Sequence, residues 1–212
     1  MTRVVLASGS PARLRILRAA GVDPLVEVSN VDEDALIAQL GDTATPSDVV
    51  TILAKAKADD VVAHPNISSI DDAIVIGCDS MLHHRGILTG KPHFPDVARD
   101  QWLSMRGTVA HLLTGHCVLR VRRGSVVAEA VAFAGTTIRF GSPTDEQVDA
   151  YVTTGEPLAV AGAFTLDGLG GWFIDGVDGD PSSVIGISLP LVRTLLDQLG
   201  VSVTDLWSAV DN

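Results

Sequence analysis

The stretch Ile76–Pro92, IGCDSMLHHRGILTGKP, constrains this chain more than any other. An apolar run, Ala73-Ile74-Val75-Ile76, stops at Gly77-Cys78 and delivers a carboxylate, Asp79. A hairpin is expected next, from Met81 to Leu88, turning at Arg85-Gly86 and returning to Thr89-Gly90-Lys91-Pro92. That places a lone acid at the C-terminal end of a strand with a lysine brought back beside it. In open α/β sheets that end of a strand is where ligands bind. An Asp that holds a metal or takes a proton, next to a phosphate-holding Lys, suits chemistry on a polyphosphate.

The rest of the chain is read around that site. At 212 residues, 46% of them hydrophobic, it is sized for one large domain or two lobes sharing a core. Aromatics make up only 4%, so the core is expected to be Val, Leu, Ile and Ala. The net charge of −11 repels nucleic acid and anionic membranes and suits a cytoplasmic protein. Against that charge the chain carries 12 Arg and only three Lys: Lys55, Lys57 and Lys91. A chain that avoids Lys yet places one inside Gly-Lys-Pro has a use for an ammonium there. Cys78 and Cys117 lie far apart in apolar strands without metal-ligand spacing, and read as reduced, buried thiols. The N-terminal apolar run is too short for a signal segment, and nothing approaches a membrane span.

Val4–Ala7 reads as a short buried strand. Ser8-Gly9-Ser10-Pro11 then gives a tight turn and a helix start, with Ser10 as N-cap, Pro11 in the first turn and Gly21 as the stop. Arg13 and Arg15 sit in or near that first turn, where the helix dipole disfavours cations. Free N–H groups, the hydroxyls of Ser8 and Ser10 and an arginine make a phosphate site; the same residues serve equally for ordinary capping. The GxxxxGK[ST] pattern of a P-loop is absent. Leu25–Val28 alternates like a second strand. Asp32-Glu33-Asp34 opens a helix; its acids complement the dipole, or Glu33 joins Asp79 in holding Mg²⁺.

Pro46–Ala63 is a helix capped by Ser47, with Val50, Leu53, Ala54, Lys57 and Val61 near helical spacing. Lys55 either projects toward the site or solvates a face. Pro95–Met105 reads as a helix ended by Gly107. Val109–Val121 and Val126–Phe140 form a hairpin turning at Arg122-Arg123-Gly124, with a bulge at Thr114-Gly115-His116. His83, His84, His111 and His116 lack zinc spacing and read as strand or loop residues. Another helix starts near Ser142 and ends near Gly155. The Gly-rich segment 161–179 is no dinucleotide fingerprint, because it does not join a strand to a helix. Residues 178–183 read as a loop, Leu189–Leu199 as a closing helix, and Val201–Val210 as a short last helix.

Five ordered motifs give the chain a family resemblance. LASGSPARLRIL is similar to the opening LASxSPRRxxLL of the Maf family of nucleotide pyrophosphatases; GCDS with GKP resembles its GADT and GKP; LLTGHCV resembles its TG strand. YVTTGEPLAVAGAF resembles its YxxxxEPxxxAGxY, and the Gly-Asp loop before the last helix also matches. The resemblance implies one Maf-like domain over residues 1–212: a mixed-sheet α/β fold of two lobes around a central cleft, like the inosine-triphosphate pyrophosphatases. It implies hydrolysis of a nucleoside triphosphate to the monophosphate and pyrophosphate with a divalent cation, Mg²⁺ or Mn²⁺. A homodimer and a part in arresting septation are implied as well.

Residue by residue, Asp79 takes the position of the catalytic base. Ser8, Arg13, Glu33, Lys55 and Lys91 take positions credited with phosphate or metal binding. The specificity positions hold Ala12, Ser80 and Asp167 where a dTTP/UTP-cleaving subgroup carries Arg, Thr and Gln. A 7-methyl-GTP subgroup carries Glu where Asp167 stands, with Trp and Gln at the other two. Asp79 remains open as base or pure metal ligand. An aspartyl-phosphate phosphatase is excluded, because Met81 stands where a second acid is required. The rival from another class is a nucleotide-sensing division regulator that binds without turnover.

Overall fold

The computed structural model describes residues 2–41 and 43–207. In chain order the elements are β1 (Arg3–Leu6), α1 (Pro11–Ala19), β2 (Leu25–Val26), α2 (Glu33–Leu40), α3 (Pro46–Val62), α4 (Pro65–Ser68), β3 (Asp72–His84), β4 (Ile87–Thr89) and α5 (Pro95–Met105). Then follow β5 (Val109–Arg122), β6 (Ser125–Phe140), α6 (Asp145–Thr153), β7 (Ile174–Asp178), α7 (Pro181–Ile185) and α8 (Leu189–Gln198), with short 3₁₀ turns after α6 and α8. The strands form one mixed sheet in the order β2-β1-β3-β5-β6-β7, with β4 paired to β3. β1 is parallel to both β2 and β3, whereas β4 returns antiparallel on β3.

The chain divides into two units. The first comprises Met1–Asp79, Thr114–Ala134 and Gly186–Asn212, the second Ser80–Leu113 and Gly135–Ile185. Within the first unit, alternate residues of the buried strands feed two separate clusters. Val4, Leu6, Ile74, Ile76 and Val118 pack with Leu17 of α1 and Val192, Leu195 and Leu196 of α8. Val5, Ala7, Val75, Cys117 and Leu119 pack instead with Ala54, Ala58 and Val61 of α3. Helices thus cover both sides of these strands, which explains their unbroken apolar sequence. The second unit has its own core and departs from the expected aliphatic composition. Trp102, Phe140, Tyr151, Phe164 and Phe173 meet edge to face, with centroids 5.2–5.9 Å apart. The Trp102 indole N–H donates to the Ala163 carbonyl at 2.6 Å, so the largest side chain is buried without an orphaned donor.

Several local expectations are corrected. Asp79 is not at a strand end: β3 runs unbroken from Asp72 to His84, because the main chain continues through Gly77-Cys78 in the sheet. The turn itself falls at Arg85-Gly86, both with positive φ, as a two-residue hairpin requires. The second strand is only Leu25–Val26, both exposed at the sheet edge. Thr45, not Ser47, caps α3, because the threonine and Asp48 close a reciprocal capping box. β5 is one strand through Thr114–His116, and the β6–β7 pairing has a register irregularity at Arg139/Phe140. Residues 178–183 end β7 and begin α7 rather than forming a loop. The last helix is a 3₁₀ turn at Val203–Leu206, and residues 208–210 of the expected tail helix lie outside the described residues.

Two glycines bring α3 onto the sheet. A Cβ on Gly77 would lie 2.2 Å from the Ala54 carbonyl oxygen, and one on Gly115 would lie 2.0 Å from that of Val50. Val50 and Ala54 are one helical turn apart, so the helix rests directly on strand backbone at successive turns. That close seating carries the next turn of α3, with Lys57, to the position two residues along β3 from Gly77.

Candidate active site

Lys57 is the lysine at the centre of the first unit's polar cluster. Its ammonium donates to Asp79 Oδ1 at 2.6 Å and stands 2.8 Å from Glu33 Oε1. Asp79 and Lys57 are buried, whereas Glu33, in the first turn of α2, is exposed. Burial pushes the Asp79 carboxyl above the ordinary carboxylate range, opposed by the Lys57 ammonium and the Arg13 guanidinium. A carboxylate so poised accepts a proton more readily than an exposed one. The neighbouring Cys78 thiol is pushed up by burial to about 11 and stays protonated.

Arg13 forms the second half of the cluster. Its Nε donates to the Gly186 carbonyl at 2.8 Å, and one terminal nitrogen donates to both Ser8 Oγ and the Cys78 carbonyl at 2.9 Å. Ser8 Oγ also accepts the Ser10 N–H at 3.2 Å, and Ser10 Oγ accepts from the Arg13 N–H at 3.5 Å as the N-cap of α1. The turn from β1 into α1 is therefore tied to the residue before Asp79. A helix N-terminus, a buried guanidinium and two hydroxyls gather beside a buried carboxylate, which can receive a phosphorylated ligand.

The other expected residues are placed differently. Lys55 lies on another face of α3, paired with Glu129 and, at 3.3 Å, with Asp59. The Glu129 contact raises its pKa, and it makes no contact with Asp79 among the described ion pairs. Ala12, in the first turn of α1, is half-buried. Ser80, Lys91 and Asp167 belong to the second unit, Ser80 half-buried and the other two exposed. There Glu156 fixes the segment carrying Asp167: its carboxylate accepts from the Gly170 N–H at 3.0 Å, the Leu169 N–H at 3.1 Å and the Tyr151 hydroxyl at 3.0 Å.

Lys57, not Lys55, is the lysine of α3 that meets Asp79, and the sequence carries a signal for it. It is the one cation in the otherwise apolar series Val50, Leu53, Ala54, Val61, and a lone charge on a buried helical face calls for a buried partner.

No group of three or more His, Cys, Asp or Glu side chains is arranged to hold a metal among the described residues. Glu33 and Asp79 nevertheless converge on one cation, the Lys57 ammonium, within 2.8 Å. Mg²⁺ is commonly held by one or two carboxylates, with substrate phosphate and water completing the oxygen set, so this pair fits such an ion.

Comparison with known proteins agrees with the motifs. A family model described as "Maf-like protein" matches residues 3–199. A Rhodococcus opacus protein named "Nucleoside triphosphate pyrophosphatase" is 60% identical over 208 residues, covering 98% of this chain and 97% of its own length. Proteins of the same name from Rhodococcus erythropolis and Nocardia farcinica are each 58% identical, over 98% and 96% of this chain and 97% and 96% of their own. With a family model spanning nearly the whole chain and relatives this similar end to end, the protein belongs to the Maf-like family.

Proposed function

We propose that this protein is a nucleoside triphosphate pyrophosphatase, hydrolysing its substrate to a nucleoside monophosphate and pyrophosphate. The observation that carries the reading is the buried Asp79 carboxylate, raised in pKa by burial and held by Lys57 beside the Ser8–Arg13 turn. In a chain of net charge −11, one of only three lysines bonds this carboxylate and the Arg13 guanidinium acts on it electrostatically. The names of the relatives supply the reaction class.

In this reading the triphosphate lies with its phosphates against the N-terminus of α1. The N–H groups there, with Ser8, Ser10 and Arg13, offset phosphate charge. Asp79 takes a proton from a water whose oxygen attacks the α-phosphorus. The bond from that phosphorus to the bridging oxygen breaks, and pyrophosphate leaves. Lys57 keeps Asp79 ionised and oriented before the transfer, whereas Lys55, expected at a phosphate- or metal-binding position, pairs with Glu129 and Asp59 instead. Lys91, in the Gly-Lys-Pro motif, and Asp167, Ser80 and Ala12, at the specificity positions, enter on the strength of the family motifs. A carboxylate at Asp167 favours a base that presents an amino or ring N–H. Glu33 and Asp79 would hold a divalent cation, which when bound supplies positive charge to the phosphoryl oxygens. A homodimer, a cytoplasmic location and a part in septation arrest come from the resemblance and the acidic composition.

The test is pyrophosphate release from a panel of standard and modified triphosphates with Mg²⁺ or Mn²⁺. Asp79→Asn should lower turnover about a hundredfold or more, the scale of a lost general base. An Asp79→Asn protein as active as the wild type removes Asp79 from the mechanism. A silent panel despite measurable nucleotide binding turns the reading to the sensing regulator.

A further inference from the structure

His116 is fully buried in β5, and its two ring nitrogens have unequal partners. Nε2 lies 2.9 Å from the backbone nitrogen of Ser188, and Nδ1 lies 3.0 Å from the Thr114 carbonyl oxygen. A backbone N–H only donates and a carbonyl only accepts, so Nε2 is the acceptor and Nδ1 carries the hydrogen. The imidazole is therefore held neutral in one tautomer. Its acceptor is aimed at the N-cap of α8, where Ser188 Oγ in turn accepts the Leu191 N–H.

Ser188 closes a three-residue segment that ends at the active-site arginine. Ile187 is buried in the core beside α1 and α8. Gly186 has φ +145°, a conformation side chains rarely adopt, and a Cβ there would lie 3.1 Å from Arg13 Cγ. Its carbonyl accepts the Arg13 Nε–H at 2.8 Å. The chain of contacts is continuous: His116 fixes the Ser188 N–H, the segment 186–188 fixes the Gly186 carbonyl, and that carbonyl fixes the guanidinium that also grips Ser8 and Cys78.

We propose that His116 is a positioning residue for Arg13, acting through the segment 186–188 and thereby setting the phosphate-binding turn. The proposal deepens the pyrophosphatase reading and rests on it for the identity of the ligand. Without the imidazole acceptor the buried Ser188 N–H loses its partner and the segment shifts to find another. The Gly186 carbonyl moves with it, and Arg13 loses one of the bonds that fix its direction. Side chains that orient a binding group act on kcat/KM through that group, so the two effects are coupled rather than independent.

The experiment is a double-mutant cycle on the full chain, read as kcat/KM for the best triphosphate. His116→Leu fills the space without an acceptor, and should lower kcat/KM about tenfold. In an Arg13→Ala background the same substitution should change it less than about twofold, because the positioned group is gone. His116→Gln, whose amide oxygen can reach the Nε2 position, should stay within about threefold of wild type. If His116→Leu does not fold, His116→Asn takes its place, since its amide can still donate to Thr114 while the acceptor for Ser188 is lost. A decrease of the same size with and without Arg13 overturns the proposal, as does His116→Gln as impaired as the leucine variant. If the wild type cleaves nothing, the pyrophosphatase reading has failed separately. The cycle is then scored on binding of a fluorescent triphosphate analogue, with the same two outcomes deciding it.

Discussion

Replacing Lys57 with methionine converts a neutralised buried pair into a lone buried carboxylate while keeping the side-chain volume. The ammonium lies 2.6 Å from Asp79 and 2.8 Å from Glu33, so both acids lose a partner. Glu33 is half exposed and is relieved by water; Asp79 is not. Removing one member of a buried pair costs about 3–5 kcal/mol. Asp79 limits the cost by taking a proton, its pKa rising further above an already raised value once the ammonium that opposed the rise is gone. An acid whose folded pKa is raised binds its proton more tightly in the folded state. The deficit is therefore fully present above the variant's Asp79 pKa and shrinks as pH falls through it. For a chain of this size the loss corresponds to a melting temperature lower by about 6–20 °C near pH 8. Thermal melts of wild type and variant between pH 5 and 8.5 measure it. Adding Asp79→Asn to Lys57→Met should recover most of the loss, because neither charge then remains. Equal melting temperatures at pH 8, a deficit that does not shrink in acid, or a double variant no better than the single would each refute the reasoning.

Lys55→Ala should leave kcat/KM within about twofold and cost no more than about 1 kcal/mol, since its partners Glu129 and Asp59 are surface acids; steady-state kinetics beside Lys57→Met separates the two lysines. Gly77→Ala sets a Cβ against the Ala54 carbonyl and should destabilise by about 1–3 kcal/mol or more, with activity falling too as α3 and Lys57 are pushed from Asp79; melting and kinetics on one preparation show whether the losses travel together. At Glu156, burial raises the carboxyl's pKa, but the Thr165 hydroxyl and the N–H groups of Leu169 and Gly170 outweigh it and the pKa is lowered. Its stabilisation is therefore present above the ordinary value of 4.5 and lost as pH falls through the folded one. Glu156→Gln should cost about 1–3 kcal/mol at pH 7, a gap that closes in acid; a constant gap between pH 7 and 3 argues against the carboxylate's charge.

Local chemistry determined much of this protein. Ser10-Pro11, Asp32-Glu33, Pro95 and Ser188-Leu189-Pro190 mark helix starts because caps and first turns depend on residues within one turn. Arg85-Gly86 and Arg123-Gly124 mark hairpins because the backbone there takes positive φ. Asp79 could be singled out, and the ordered motifs around it named the family, because those residues are consecutive or fall in fixed order. What sequence could not decide is which distant groups meet. Lys55 and Lys57 differ by two positions on one helix, about 200° of rotation, and only the seating of α3 on Gly77 and Gly115 selects which ammonium reaches the buried acid. Likewise the histidine of β5 meets the Ser188 N–H across 72 residues of chain, and the carbonyl of Gly186 meets Arg13 across 173. Nothing local records such a contact. It exists because apolar faces far apart in sequence exclude water together, and the polar groups carried on them must then find partners in the same enclosed space.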